Sequence, residues 1–415
     1  MKVFKFGGAS VKDVSGVKNV AIILQSYVNT RVVVVISAMG KTTNALEKIL
    51  NQFRDHSDHT AELNTLKQFH ASIMAGLFTE DHAVFKIVDD LFKDLEIKLK
   101  IHGKYDEVYD QVVSFGELIS TVIVHHHLLD QGLPCEWIDA REYIFTDNTF
   151  REGKVDWQKT CSAIKAVNLI LKRKNFVITQ GFIGKAENGL TTTLGRDGSD
   201  FSAAIFASCL EAESVTIWKD VPGVMNADPK RLPAATVFVE LPFQEAAEMT
   251  YYGASVIHPK TIKPLATQGI PLFVKNFDDS SLPGTKIHEC HIEHLPPLIV
   301  FKDNQCLVSC KVTNYTFITE NHMSQIFSIL AELNIQINVM QNSAISFSFC
   351  IDFRESKIKA LIARLQPDFE VYYNTGLTLI TVKNYDEETF EFYRKKPGVL
   401  LEQSSRSTLQ VLMRM

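Results

Sequence analysis

KVFKFGGASVKDVSGVKNVAIILQSYVNTRVVVVIS, residues 2 to 37, decides the fold class. The strand pattern KVFKF stops at Gly7 and Gly8, and apolar positions then recur at helical spacing from Asp13 to Ser26. Arg31 introduces VVVVIS, an uninterrupted β-branched run of the kind buried on both faces of a parallel sheet. Strand, glycine turn, helix and buried strand make a βαβ unit. The alternation continues with strands in CEWIDA (135–140), NFVITQGFIG (175–184), SVTIWKDV (214–221) and residues 271–277. Helical patterns cover 157–172, 243–252 and 259–267. A three-layer α/β sandwich follows, its sheet mostly parallel, with ligands at the carboxyl ends of the strands.

At 415 residues the chain exceeds one compact core, so two or three domains are expected. Hydrophobic content of 46% and charged content of 22% are those of an ordinary globular protein. The net charge of -5 argues against nucleic acid or an anionic membrane as the main partner. Seven scattered cysteines without a Cys-x-x-Cys pair suit a reducing cytosol. With no N-terminal apolar leader and no apolar run near the length of a membrane span, a soluble, cytoplasmic protein is expected.

Residues 44–105 are long, mixed-charge helical patterns and read as an insertion carrying a lid or an interface. His56 and His59 within it fit a solvated loop better than a metal site. His125, His126 and His127 point in different directions on the helix of residues 112–129 and read as surface residues. Residues 288–300, with Pro296-Pro297 and a histidine cluster, read as a linker after a domain of residues 1–287. Beyond it a strand, helix, strand, strand pattern occurs twice, in residues 301–375 and 376–415, each first strand ending in Val-x-Asn-Tyr. The second copy stops before a second helix, so it must borrow that layer or do without it.

Three glycine turns fall at strand ends: KFGGAS (5–10), SAMG (37–40) and TTTLGRDGSD (191–200). Amides freed by Gly195 and Gly198, nearby hydroxyls and the positive end of the helix that follows favour phosphate or carboxylate. Asp200 reads as that helix's N-cap, and Arg196 offers a planar fork for a carboxylate. His288, His291 and His294, three apart, could converge on a metal if helical but read as exposed linker histidines, and no protein-built metal site is expected.

KFGGAS, SFGE (114–117), TTTLGRDGSD, WKDVPGVMNADP (218–229) and YYGASVIHP (251–259) stand in the order found in the aspartokinases of the amino acid kinase superfamily, which the chain resembles throughout. The resemblance implies the amino acid kinase fold followed by ACT-like α+β regulatory modules. It implies transfer of the ATP γ-phosphoryl group to the β-carboxylate of L-aspartate, with Mg2+ bridging the phosphates, as the first step toward lysine, threonine and methionine. Lys5 would neutralise the transferring phosphoryl, with Asp200 orienting it. Gly7, Gly8 and Ser10 would cradle phosphate. Arg196 would grip the aspartate α-carboxylate, and Glu117, helped by Ser37 and Thr43, its ammonium. Lys219, Asp220, Met225, Lys230 and Ser255 correspond to nucleotide-contacting positions.

Several positions depart from the family. Lys219 replaces Thr, Met225 a Tyr, Lys230 an Arg and Ser255 a Lys, which alters the cations available to the triphosphate. In the first module Asn338 stands where lysine-sensitive relatives carry an acid, so an amino-acid effector at the modules is left open. On residue type alone Glu117 reads more readily as a solvated helix acid than as a binding group. Two other readings stand beside aspartokinase: a kinase for another small acid, and an amino-acid sensor with a decayed kinase half. By analogy the modules imply a homodimer or higher homo-oligomer.

Overall fold

The structure is a computed structural model describing residues 1–414 except 255, 256, 314 and 315, so Ser255 and the Asn-Tyr pair that closes the first repeat's opening motif lie outside the described residues. The chain forms two compact units. One comprises Met1–Val224, Val237–Ala247 and residues 257–291; the other comprises Met225–Thr236, residues 248–254 and the chain from Ile292 on.

Strands of the first unit are β1 (Lys2–Phe6), β2 (Val32–Ile36), β3 (Cys135–Trp137), β4 (Phe145–Thr146), β5 (Phe176–Gln180), β6 (Ile183–Ala186), β7 (Thr191–Thr193), β8 (Ser214–Lys219), β9 (Glu240–Pro242), β10 (Leu272–Asn276) and β11 (Thr285–His288). Eight of them form one sheet in the order β3-β5-β2-β1-β8-β10-β11-β9. Pairing is parallel from β3 through β10 and turns antiparallel between β10 and β11. Every residue of Val32–Ile36 is fully buried, as a central strand covered on both faces requires. Strands β4, β6 and β7 make a small separate sheet.

The unit's helices are α1 (Val14–Gln25), α2 (Thr42–Arg54), α3 (Thr60–Leu77), α4 (Val84–Leu99), α5 (Tyr105–Val113), α6 (Phe115–Asp130), α7 (Trp157–Ile164), α8 (Val167–Leu171), α9 (Gly198–Leu210), α11 (Pro259–Gln268) and, continuing into the second unit, α10 (Phe243–Tyr251). Residues 44–105, read as an insertion carrying a lid or an interface, pack on the sheet, where Leu46, Ile49, Phe92 and Leu95 share one apolar cluster with Phe4, Phe6 and Ile36. Three differences from the sequence reading have physical causes. Tyr105–Asp130 is long and apolar enough to cross a membrane by length and composition, contrary to the run-length reading, but it breaks at Ser114, and 78% of its apolar 18-residue window is buried in the protein. His127 is no surface residue: it is 2% exposed, neither ring nitrogen has a partner, and burial lowers its pKa. Packing of α7 against α9 joins Cys161 to Cys209, a disulfide that a separation of 48 residues did not announce.

The second unit has β12 (Leu298–Val312), α12 (Glu320–Glu332), β13 (Ile337–Asn342), β14 (Ser346–Asp352), α13 (Glu355–Leu365), β15 (Phe369–Lys383), α14 (Glu387–Arg394), β16 (Val399–Ser404) and β17 (Thr408–Arg414). Its sheet runs β13-β14-β12-β15-β17-β16. Strand β15 runs unbroken through the boundary at 375/376, and β12 already begins inside residues 288–300. The two repeats therefore share one sheet: β12 pairs along its length with β15, with a register shift where Gly376 adopts φ +68°. Under the first repeat, Phe347, Phe349 and Leu361 form one core. The second repeat borrows its missing layer. Ala227, with partly buried Leu232 and Ala235, packs on Ile299, Ile380, Val382 and Val411, which is why Met225–Thr236 belongs to this unit rather than to the domain of residues 1–287.

Ala227→Asp puts an unpartnered carboxylate into that layer, at a cost of about 2 kcal/mol or more. Calorimetry is expected to show the second unit melting several degrees lower; an unchanged thermogram would mean that the layer adds nothing.

Candidate active site

The sheet carries the glycine turns to one place. The Gly40 amide donates to the Gly8 carbonyl at 3.0 Å and the Ser37 amide to the Phe6 carbonyl at 3.1 Å, which stitches the turns after β1 and β2 together. A Cβ on Gly8 would lie 2.5 Å from the Ala38 carbonyl oxygen, so only glycine allows this approach. Helix α9 starts at Gly198, after Asp197 in the left-handed conformation at φ +54°. Asp200 is thus not the N-cap. It sits within the first turn, 4% exposed, and its Oδ1 lies 2.7 Å from Lys5 Nζ.

A cleft of about 710 Å³ opens above these turns. Lys5, Gly8, Ser37, Thr43, Glu117, Arg196 and Asp200 all line it. Glu117, in the first turn of α6, is 2% exposed, and among the described residues its Oε2 has no hydrogen-bond partner. Desolvation pushes its pKa up to about 8, against weaker hydrogen bonding from the backbone. The Arg196 guanidinium is largely exposed, 3.7 Å from Asp197. The cleft thus offers cations at Lys5 and Arg196 and, at Glu117, a buried acceptor for a cation.

The other candidates lie elsewhere. Gly7 and Ser10 do not line the cleft; the Ser10 amide closes the turn onto the Gly7 carbonyl at 2.9 Å. Lys219 ends β8 within the field of Asp200 and Lys5, its pKa lowered mainly by desolvation. Asp220 follows it and is exposed. Met225 and Lys230 belong to the second unit.

Sequence reasoning missed Arg151, Asp110 and Glu152. Arg151 lines the cleft with its guanidinium 4.0 Å over the Tyr109 ring. Buried Asp110 accepts from the Arg151 amide at 2.9 Å and from the Thr193 amide and hydroxyl at 2.9 and 2.8 Å, tying the 151 turn to β7. Desolvation outweighs those bonds and raises its pKa to about 6. These partners lie 41 and 83 residues from Asp110, and no local pattern joins them.

A parallel sheet whose glycine turns meet over paired charges defines a small-molecule phosphotransferase. Residues 1–276 match the amino acid kinase family, and the chain belongs to it. Within that family it is an aspartokinase: it is 31% identical over 398 residues to lysine-sensitive aspartokinase 3 of Escherichia coli (strain K12), covering 92% of this chain and 87% of that one. It also spans 41% of the bifunctional aspartokinase/homoserine dehydrogenase 1 of Zea mays, at 30% identity. Structures of E. coli aspartokinase III in complex with lysine and aspartate, and with aspartate and ADP, match all of this chain with TM-scores of 0.83 and 0.82 at 28% identity. Its C-terminal sheet corresponds to ACT-like regulatory modules. The chain is an ATP-dependent phosphotransferase.

A carboxyl whose folded pKa lies above its unfolded value of 4.5 favours the fold below that value, and the contribution is lost as pH rises through about 8. Glu117→Gln is therefore expected to gain thermal stability relative to the parent between pH 6 and pH 9. A Tm difference independent of pH would contradict a protonated Glu117.

Proposed function

We propose that the cleft transfers the ATP γ-phosphoryl group to the β-carboxylate of L-aspartate, giving 4-phospho-L-aspartate, with the cleft side chains in separate roles. The orphaned Glu117 Oε2 carries this reading, because a buried acceptor without a partner suits the acceptor's ammonium and gives phosphate no welcome. Arg196, on the same cleft, presents its fork to the α-carboxylate, with Ser37 and Thr43 alongside. Lys5, held by Asp200, directs its ammonium toward the phosphoryl oxygens, where charge develops during transfer. Gly7, Gly8 and Ser10 shape the turn beneath the phosphates, and Lys219, Asp220, Met225, Lys230 and Ser255 remain our nucleotide-contact candidates.

Among the described residues no cluster of three His, Cys, Asp or Glu side chains could hold a metal. Mg2+ fits as an ion carried by the nucleotide and water, where it would neutralise phosphate charge. An amino-acid effector at the ACT-like modules belongs to the same reading. Asn338 there is neutral and bonded to Lys302, Gln305 and Asp352, so we expect weak inhibition by lysine at most. We further propose a cytoplasmic homodimer or higher oligomer, with β13 at one end of its sheet; sedimentation equilibrium showing a monomer would refute the assembly.

Coupled ADP-release assays are expected to show Lys5→Ala lowering kcat by two orders of magnitude or more, and Arg196→Ala chiefly raising the aspartate KM. Equal loss of both parameters in both variants would refute the division of roles, and turnover with L-glutamate but not L-aspartate would refute the acceptor. Since free Glu117 is protonated below about pH 8, aspartate uptake releases a proton. Its KM should fall from pH 6 to pH 8, by at most about ten-fold per pH unit, and Glu117→Gln should remove that slope.

A further inference from the structure

A second cavity, of about 350 Å³, lies in the first unit between α7, α9 and α11. One wall is aromatic: Trp157 and Phe201 stand with ring centroids 6.3 Å apart at 68°, and Trp157 is 39% exposed. Lys260 and Lys263 bring two ammonium groups, Ser208 and Gln268 add hydrogen-bonding groups, and among the described residues no carboxylate lines the space. The volume lies at the lower end of the range for small-molecule pockets. Aromatic faces beside ammonium groups, without acids, select a planar ring that bears negative charge. The packing of α7 on α9 sets the wall, since Cys161, one helical turn from Trp157, meets Cys209, which follows Ser208.

Two connections lead from this cavity to the catalytic cleft. Phe201 directly follows Asp200 in the first turn of α9. Lys260 Nζ lies 3.8 Å from Glu152 Oε1, and Glu152 lines the cleft. An anion that draws Lys260 away leaves the Glu152 charge less compensated where an acceptor with two carboxylates must enter. The pair is exposed, 39% and 69% for its two side chains, which caps the coupling at about five-fold.

We propose that this cavity is an inhibitory site for a small aromatic carboxylate, coupled to the catalytic cleft through Lys260 and Glu152. Binding is independent of the reading of the cleft; the coupling rests on the proposed aspartate kinase activity, and the two are read separately.

Phenylacetate is the probe, titrated against the intact protein by tryptophan fluorescence and, for variants, by calorimetry. Saturable quenching is expected with a Kd of about 0.1–1 mM, as befits so small a ligand. Trp157→Phe should remove the quenching while calorimetry still detects binding. Lys260→Ala combined with Lys263→Ala should weaken binding at least about ten-fold, the loss expected when a carboxylate loses charged hydrogen-bond partners. No saturable binding, undiminished binding by the double variant, or equal competition by inorganic phosphate would each overturn the site. In initial-rate assays saturating phenylacetate should raise the aspartate KM by two- to five-fold and leave kcat alone. Glu152→Gln should keep the binding and lose the KM shift. Binding with an unchanged KM in the parent would overturn the coupling and leave the site standing; absence of all turnover with aspartate would instead indict the functional reading.

Discussion

The active centre depends on one buried ion pair. Lys5 leaves the carboxyl end of a central strand and Asp200 the first turn of α9, and their 2.7 Å contact fixes strand and helix relative to each other. Such a pair adds little net stability, because desolvation of both charges offsets their attraction, but removing one partner strands the other and costs roughly 3–5 kcal/mol. Its value here is positional. The ammonium is held where the Gly7–Gly8 turn meets the helix end, on the wall of the cleft.

Glu117 is the opposite case, a buried acid without a compensating cation. The protein tolerates it because the group stays protonated, at the expense of a raised pKa. Between these two sites the cleft has a built-in polarity, cationic over the glycine turns and cation-accepting at the start of α6. On the reading proposed above, a zwitterionic acceptor would enter in one orientation, with the group to be phosphorylated turned toward Lys5.

Much of this was legible in the chain because backbone demands leave local marks. Gly8 must be glycine for the Ala38 carbonyl to approach, and VVVVI must be a doubly covered strand. Asp200 was found for its place after GRDG, although it does not cap the helix: Asp197 takes the left-handed position before Gly198 and leaves Asp200 free to reach Lys5. Arg151 and Asp110 were not legible, because their roles arise from contacts across 41 and 83 residues, formed only once β7 and α5 are in place. His127 misled for a related reason. Three adjacent histidines suggest solvent, yet one must face the core on any helix packed along a side.

The borrowed layer over the second repeat has a topological result. The polypeptide passes from one folded body to the other after Val224, comes back at Val237, departs again after Ala247, returns, and leaves finally after His291. No single cut separates the halves cleanly, and a gene joined at the proline-rich stretch would deliver a regulatory half with one side bare. A swap made at that stretch therefore carries neither half across intact.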